Sequence, residues 1–153
     1  MWFSKKQANQ LPIRDAAEGA AAVPGQVTTK SRGDAAEILA RAWLSRAGLR
    51  WIESNYRTPG RGGGEIDLIM RAPDGTLVFV EVRQRANASH GGAGASISST
   101  KQQRIIFAAR HYLMRFGSPP PCRFDVVLVH GALCEGKGPD PEIEWLPAAF
   151  DAS

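Results

Sequence analysis

The stretch Gly62–Arg85, GGGEIDLIMRAPDGTLVFVEVRQR, decides how the chain folds. Two apolar runs flank Pro73-Asp74-Gly75, the pattern of an antiparallel hairpin. Pro suits the first central position of a type I turn and Asp the second. Gly suits the left-handed position that follows, which gives a three-residue loop with a bulge. Ala72 then opposes Thr76. Counting outward, Ile69 faces Phe79, Asp67 faces Glu81 and Glu65 faces Arg83. A two-residue turn would shift the register by one and put Asp67 and Glu81 on opposite faces. The strands are expected over roughly Glu65–Arg71 and Leu77–Arg85.

Alternation along the strands sorts the side chains. Ile66, Leu68, Met70, Val78, Val80 and Val82 fall on one wholly apolar face. The other face carries Ile69, Leu77 and Phe79 near the turn, with Glu65, Asp67, Glu81 and Arg83 at the far end. Charges inside such strands are costly unless paired, and two opposed carboxylates repel unless a cation or a proton sits between them. Two readings follow. In one, Asp67 and Glu81 hold a hard divalent ion, Mg²⁺ or Mn²⁺, which prefers oxygen ligands and can polarise a phosphodiester. Arg83 then sets a positive charge beside the transition state. In the other, the face is solvated, Glu65 pairs with Arg83 across the strands, and Asp67 and Glu81 sit at its wet edge. Spacing alone leaves both open.

Upstream, KSRGDAAEILARAWLSRAGL predicts a helix of roughly four turns. Ser31 and Asp34 resemble a capping box, Ala36, Ala40, Trp43 and Ala47 recur at helical spacing, and Gly48 supplies the stop. LRWIESNYR predicts a strand and TPGRGGG a loop. Downstream, ANASHGGAGASIS (residues 86–98) is small, polar and Gly-rich, the composition of a long flexible loop, and long loops in compact domains are often functional. TKQQRIIFAARHYLMRF predicts a second helix, capped near Ser99 or Thr100. RFDVVLVH predicts another strand, and IEWLPAAF a short strand with a closing helical turn. The order is α-β-β-β-α-β with a small C-terminal addition. Residues 1–30, rich in Ala, Gln, Gly and Pro without a sustained period, read as a flexible arm.

The 153 residues suffice for one domain with a core. A net charge of +4 and a pI of about 9.4 suit an anionic partner such as nucleic acid without demanding one. Cys122 and Cys134 stand outside any zinc spacing and read as reduced thiols. No apolar run is long enough to span a bilayer, and the N-terminus lacks the apolar core of a secretory signal, so the cytoplasm is the expected location. His90 has no partner spaced for zinc or a triad. Asp125 reads as structural, paired with Arg123 or a helix end. The tryptophans at 43, 51 and 145 read as packing; Trp2 lies in the arm.

GEIDLIMR…DGTLVFVEVRQR, the upstream GDAAEILARAWLSRAGL, NYR, the downstream Lys101 and the late RFDVV together resemble the YraN-like family. Its members are predicted endonucleases of the P-D-(D/E)-x-K, restriction-endonuclease-like fold, with archaeal Holliday-junction resolvases as more distant relatives. The resemblance runs from Gly33 to the C-terminus. It implies an αβββαβ core with a mixed central sheet flanked by helices, so that residues 31–153 form a single nuclease-like domain. It assigns the acidic Asp to Asp67, the (D/E)-x-K signature to Glu81-Val82-Arg83 and a helical Glu to Glu37, which would complete the acidic cluster. The signature Lys is an Arg in this chain. Arg stays protonated and cannot act as a base, though it can stabilise charge.

The expected function is metal-dependent hydrolysis of DNA, branched or otherwise structured. Asp67, Glu81 and Arg83 are the candidate catalytic residues, and Asp67, Glu81 and Glu37 the candidate ligands of Mg²⁺ or Mn²⁺. Lys101, Arg61, Arg57 and Arg85 are the candidate nucleic-acid contacts. Arg104, His111 and Arg115, on the same helix side as Lys101, read as a solvated face. The alternatives are a nucleic-acid-binding module of the same fold without chemistry, and an interaction scaffold. A homodimer is admissible by analogy with the resolvases, though no residue requires it.

Overall fold

The computed structural model describes residues 29–85, 97–131 and 140–152. Most of the arm, most of the 86–98 segment, Trp2, His90 and Cys134 lie outside the described residues. Helix α1 spans Thr29–Arg46, opening ahead of the Ser31–Asp34 pair. Strand β1 spans Arg50–Arg57, β2 Glu65–Arg71 and β3 Leu77–Arg85. Helix α2 spans Ser99–Leu113, β4 Cys122–His130 and β5 Glu142–Phe150. The strands form one sheet in the order β1-β2-β3-β4-β5. All neighbouring pairs are antiparallel except β3 and β4, which run parallel with α2 as their crossover. This is a mixed α/β fold with the expected αβββαβ order, consistent with a restriction-endonuclease-like core.

Local chemistry explains the elements. At the end of α1, Leu49 N–H donates to Leu44 O and Gly48 N–H to Ser45 O, with Gly48 at φ 108°. This is a Schellman stop, and Leu44 and Leu49 supply its apolar contact in the core. In the hairpin, Ala72 N–H donates to Thr76 O and Gly75 N–H to Ala72 O. Gly75 takes φ 94°, and Ile69 faces Phe79, the register that the turn chemistry dictates. The cap of α2 is Ser98, one residue earlier than expected: it is extended, and its Oγ accepts the Lys101 N–H at 3.1 Å.

A helix covers each face of the sheet. Ala36, Ala40 and Leu44 of α1 pack on Leu68, Met70, Val78, Val80, Val127 and Val129. Ile105, Ile106, Ala109 and Tyr112 of α2 pack on Tyr56, Ile69, Leu77, Phe79 and Phe124. The closing helical turn expected near the C-terminus is absent, because β5 runs on to Phe150. Fully buried Asp125 explains this: it accepts from Arg123 Nε at 3.0 Å, Trp145 Nε1 at 2.9 Å and Ala148 N at 2.9 Å. Its carboxylate thus holds β5 where the β4–β5 register shifts. Trp145 also meets Trp43 edge-on at 5.8 Å. Among the described residues, no helix is long and apolar enough to cross a membrane.

Candidate functional site

The site forms where β2 and β3 part. Their backbone pairing runs from Arg71 opposite Leu77 to Leu68 opposite Val80 and stops. Asp67 then replaces the ladder with its side chain, and Oδ2 accepts the Val82 N–H at 2.8 Å. Alternation slips at this point. Leu68 and Met70 lie on the α1 side and Ile69 on the α2 side, yet Ile66 also joins the α2 cluster. The expected wholly apolar face is therefore corrected at Ile66. Between the β1 partners of Leu68 and Ile66 sits Asn55, at φ 53°. Asn tolerates this left-handed conformation better than most residues.

The slip leaves Asp67 meeting Glu81, as the hairpin register implies. Their carboxyl groups lie close enough for each to act on the other's titration. Glu81 is only 7% exposed. Burial, and then the charge of Asp67, push its pKa up to about 8. Burial raises Asp67 as well, against the opposing pull of the Val82 N–H and the Lys101 charge. The two therefore titrate as a unit that keeps a shared proton at neutral pH. From the α2 side, Lys101 Nζ stands 3.6 Å from Glu81 Oε2. From α1, Glu37 lies in the field of Asp67, and the Asn55 side chain that shares its cleft holds its pKa down in part. Burial first, then Asp67, lift Glu37 to about 7. Beside it opens a cleft of about 300 Å³ lined by Asp34, Glu37, Ile38, Arg41, Ser54 and Asn55.

The basic candidates divide by position. Arg57 is exposed and pairs with Glu65 at 3.6 Å, so Glu65 takes its partner from β1 and not the Arg83 that a hairpin-only view offered. Thr58 N–H donates to Gly64 O at 3.1 Å, and Gly64 N–H to Thr58 Oγ1 at 2.8 Å, closing the loop that carries exposed Arg61. Gly64 rests against the Arg104 carbonyl, where a Cβ would collide, so the loop lies on α2. Arg83 lowers Glu81 by charge, but among the described residues it makes no ion pair. Arg85 lies four residues beyond Glu81 along β3, about 13 Å at strand rise. Elsewhere on α2, His111 Nδ1 meets the Tyr56 hydroxyl at 2.6 Å and Arg115 stacks on Tyr112 at 3.8 Å, both packing roles.

Among the described residues, no three His, Cys, Asp or Glu groups converge as a metal cage. Asp67 and Glu81 offer two adjacent carboxylates, and Glu37 adds charge from α1. That suits Mg²⁺ or Mn²⁺, which are commonly held by one or two carboxylates with water and phosphate completing the shell. Sequence reasoning missed two links: the Lys101–Glu81 ion pair and the placing of Asn55 beside Glu37 in one cleft. For Asn55, the tolerance of Asn for left-handed backbone was the only signal.

The model of the uncharacterised protein family UPF0102 matches residues 36–129, a span that contains Glu37, Asp67, Glu81 and Lys101. A UPF0102 protein of Polaromonas naphthalenivorans is 78% identical over the full length of both chains. One from another Polaromonas species is 72% identical, again over both full lengths. One from Albidiferax ferrireducens is 69% identical over 125 residues, 82% of this chain and 91% of the relative. The chain belongs to the UPF0102 family, the YraN-like family that its motifs resemble.

Proposed function

We propose that the protein is a metal-dependent endonuclease or nuclease-like protein that binds DNA, branched or otherwise structured, and hydrolyses its phosphodiester bonds. One observation carries this reading: a carboxylate pair, buried Glu81 and half-buried Asp67, with the Lys101 ammonium 3.6 Å from Glu81. Burying two acids against each other is unfavourable for folding, and such perturbed groups concentrate at functional sites. Asp67 and Glu81 would hold Mg²⁺ or Mn²⁺, with Glu37 as an outer ligand. Bound there, the ion supplies Lewis acidity and a more acidic water. Arg83 adds positive charge near the attacked phosphate. Arg57, Arg61 and Lys101 contact the backbone on the rim, with Arg85 further along the strand.

The test is a screen of linear, single-stranded and four-way DNA with Mn²⁺, Mg²⁺ or chelator, using wild type, Asp67→Asn and Glu81→Gln. Metal-dependent cleavage lost in both variants is the expected result. Cleavage that persists unchanged in both variants would sink the mechanism. Salt-dependent binding without cleavage under either metal would instead support a binding module, the reading that Arg in place of the signature Lys favours.

A further inference from the structure

Among the described residues, the acid pair has one cation in contact, Lys101. The 3.6 Å separation from Glu81 Oε2 is that of an ion pair looser than a hydrogen bond. The Glu81 side chain is 8% exposed and the Lys101 side chain 33%, so the ammonium is the movable partner. Its backbone, by contrast, is pinned. Lys101 N–H donates to Ser98 Oγ, and the neighbouring Gln102 side chain donates to Ile97 O at 2.9 Å. The first turn of α2 therefore delivers a flexible, compact charge to a fixed place.

A divalent ion entering between Asp67 and Glu81 competes for the oxygen that Lys101 faces, and like charges at this range repel strongly. A phosphate drawn in by such an ion would offer the displaced ammonium an anionic partner. We propose that Lys101, more than Arg83, is the catalytic cation of this site, and that it works by exchange. With an ion held by Asp67 and Glu81, the Lys101 ammonium would leave Glu81 for a non-bridging oxygen of the bound phosphate. Lys101 keeps its charge throughout. On the phosphate it opposes the negative charge that builds as water attacks phosphorus and the ester bond breaks. With no ion bound, the same ammonium keeps Glu81 paired. The assignment rests on the nuclease reading above and deepens it by giving Lys101 a task beyond backbone contact.

Two measurements test it. The first is Mn²⁺ affinity by calorimetry near neutral pH. A doubly charged ion replacing about one proton meets added repulsion from Lys101, so Lys101→Gln should bind Mn²⁺ several-fold more tightly than wild type, whereas Asp67→Asn should bind it more weakly. The second is the single-turnover cleavage rate beside DNA affinity. Lys101→Gln should slow cleavage about 10²–10³-fold while DNA still binds, and Lys101→Arg should recover part of the loss; Arg83→Gln should slow it less. Unchanged Mn²⁺ affinity in Lys101→Gln overturns the exchange, whether or not DNA is cut. A wild-type rate in Lys101→Gln, with Asp67→Asn inactive, overturns the catalytic assignment and leaves the nuclease reading standing. No cleavage by wild type on any DNA removes the nuclease reading and the catalytic assignment together, while a tightened Mn²⁺ affinity would still uphold the exchange.

Discussion

Replacing Glu81 with Gln should stabilise the protein in mild base and leave it little changed in acid. In the folded chain Glu81 titrates at about 8, against an ordinary 4.5, because it is buried and faces Asp67. Between those values the native state holds a proton that the unfolded chain has released, so stability falls as pH rises. At about 1.4 kcal/mol per pH unit, the whole fall amounts to roughly 5 kcal/mol, complete just above pH 8. Asp67 shares the proton, so part of this belongs to the pair, and Glu81→Gln should recover about 2–4 kcal/mol at pH 8.5. The Gln amide is uncharged and of the same shape as the protonated acid, so little should change below pH 5. Glu37, raised to about 7, keeps a shallower fall of the same sign in both proteins. Urea denaturation followed by circular dichroism at pH 5, 7 and 8.5 measures the difference. Equal stability of the two proteins at pH 8.5, or a wild type that gains stability from pH 5 to 8.5, would refute the reasoning.

Mn²⁺ at ten times its Kd should raise wild-type stability by about 1.4 kcal/mol, and Glu81→Gln by much less; equal gains would place the ion elsewhere. Asp125→Ala strands the partners Arg123, Trp145 and Ala148, and should cost about 3–5 kcal/mol in urea denaturation. A loss below about 1 kcal/mol would show that β5 does not depend on this carboxylate. Gly64→Ala drives a Cβ into the Arg104 carbonyl, so it should lower stability by about 1–3 kcal/mol, whereas Gly60→Ala, with open space around it but φ 88°, should cost only about 1 kcal/mol. Arg61→Ala should weaken DNA binding uniformly across sequences and reduce the salt slope by about one; an unchanged slope would remove Arg61 from the interface.

The hairpin was legible in the sequence because its information is local. Pro73, Asp74 and Gly75 set the turn, the turn set the register, and the strand bounds followed within the same stretch. What stayed hidden depends on a third element. Glu65 finds Arg57 on β1, a neighbour that no hairpin pattern contains. Ile66 changes sides because a carboxylate, and not a backbone carbonyl, satisfies Val82 N–H. The C-terminal PAAF suggested a helical turn, but Asp125 reaches across from β4 and holds it as strand. Lys101 was legible as a helix-start cation beside the 86–98 loop, whereas its place next to Glu81 depends on how the crossover packs.

Asp67 carries two duties, and the distinction decides which substitution is informative. Its Oδ2 accepts the Val82 N–H where the ladder has stopped. That bond holds the split between β2 and β3 in shape, and it commits one oxygen to structure. The second oxygen is outside that bond and can meet Glu81 or a metal ion. Asp67→Ala removes both oxygens. It leaves a strand N–H in need of a partner, at a cost of about 1–3 kcal/mol, and any loss of cleavage would be confounded with a collapsed split. Asp67→Asn keeps a carbonyl oxygen for Val82 and removes only the charge. An inactive Asn variant with an unfolding midpoint no lower than that of wild type therefore ascribes the loss to charge, and so to the ion or the phosphate. An Asn variant that cleaves normally would mean that the burial of this acid pair serves the sheet and not the chemistry.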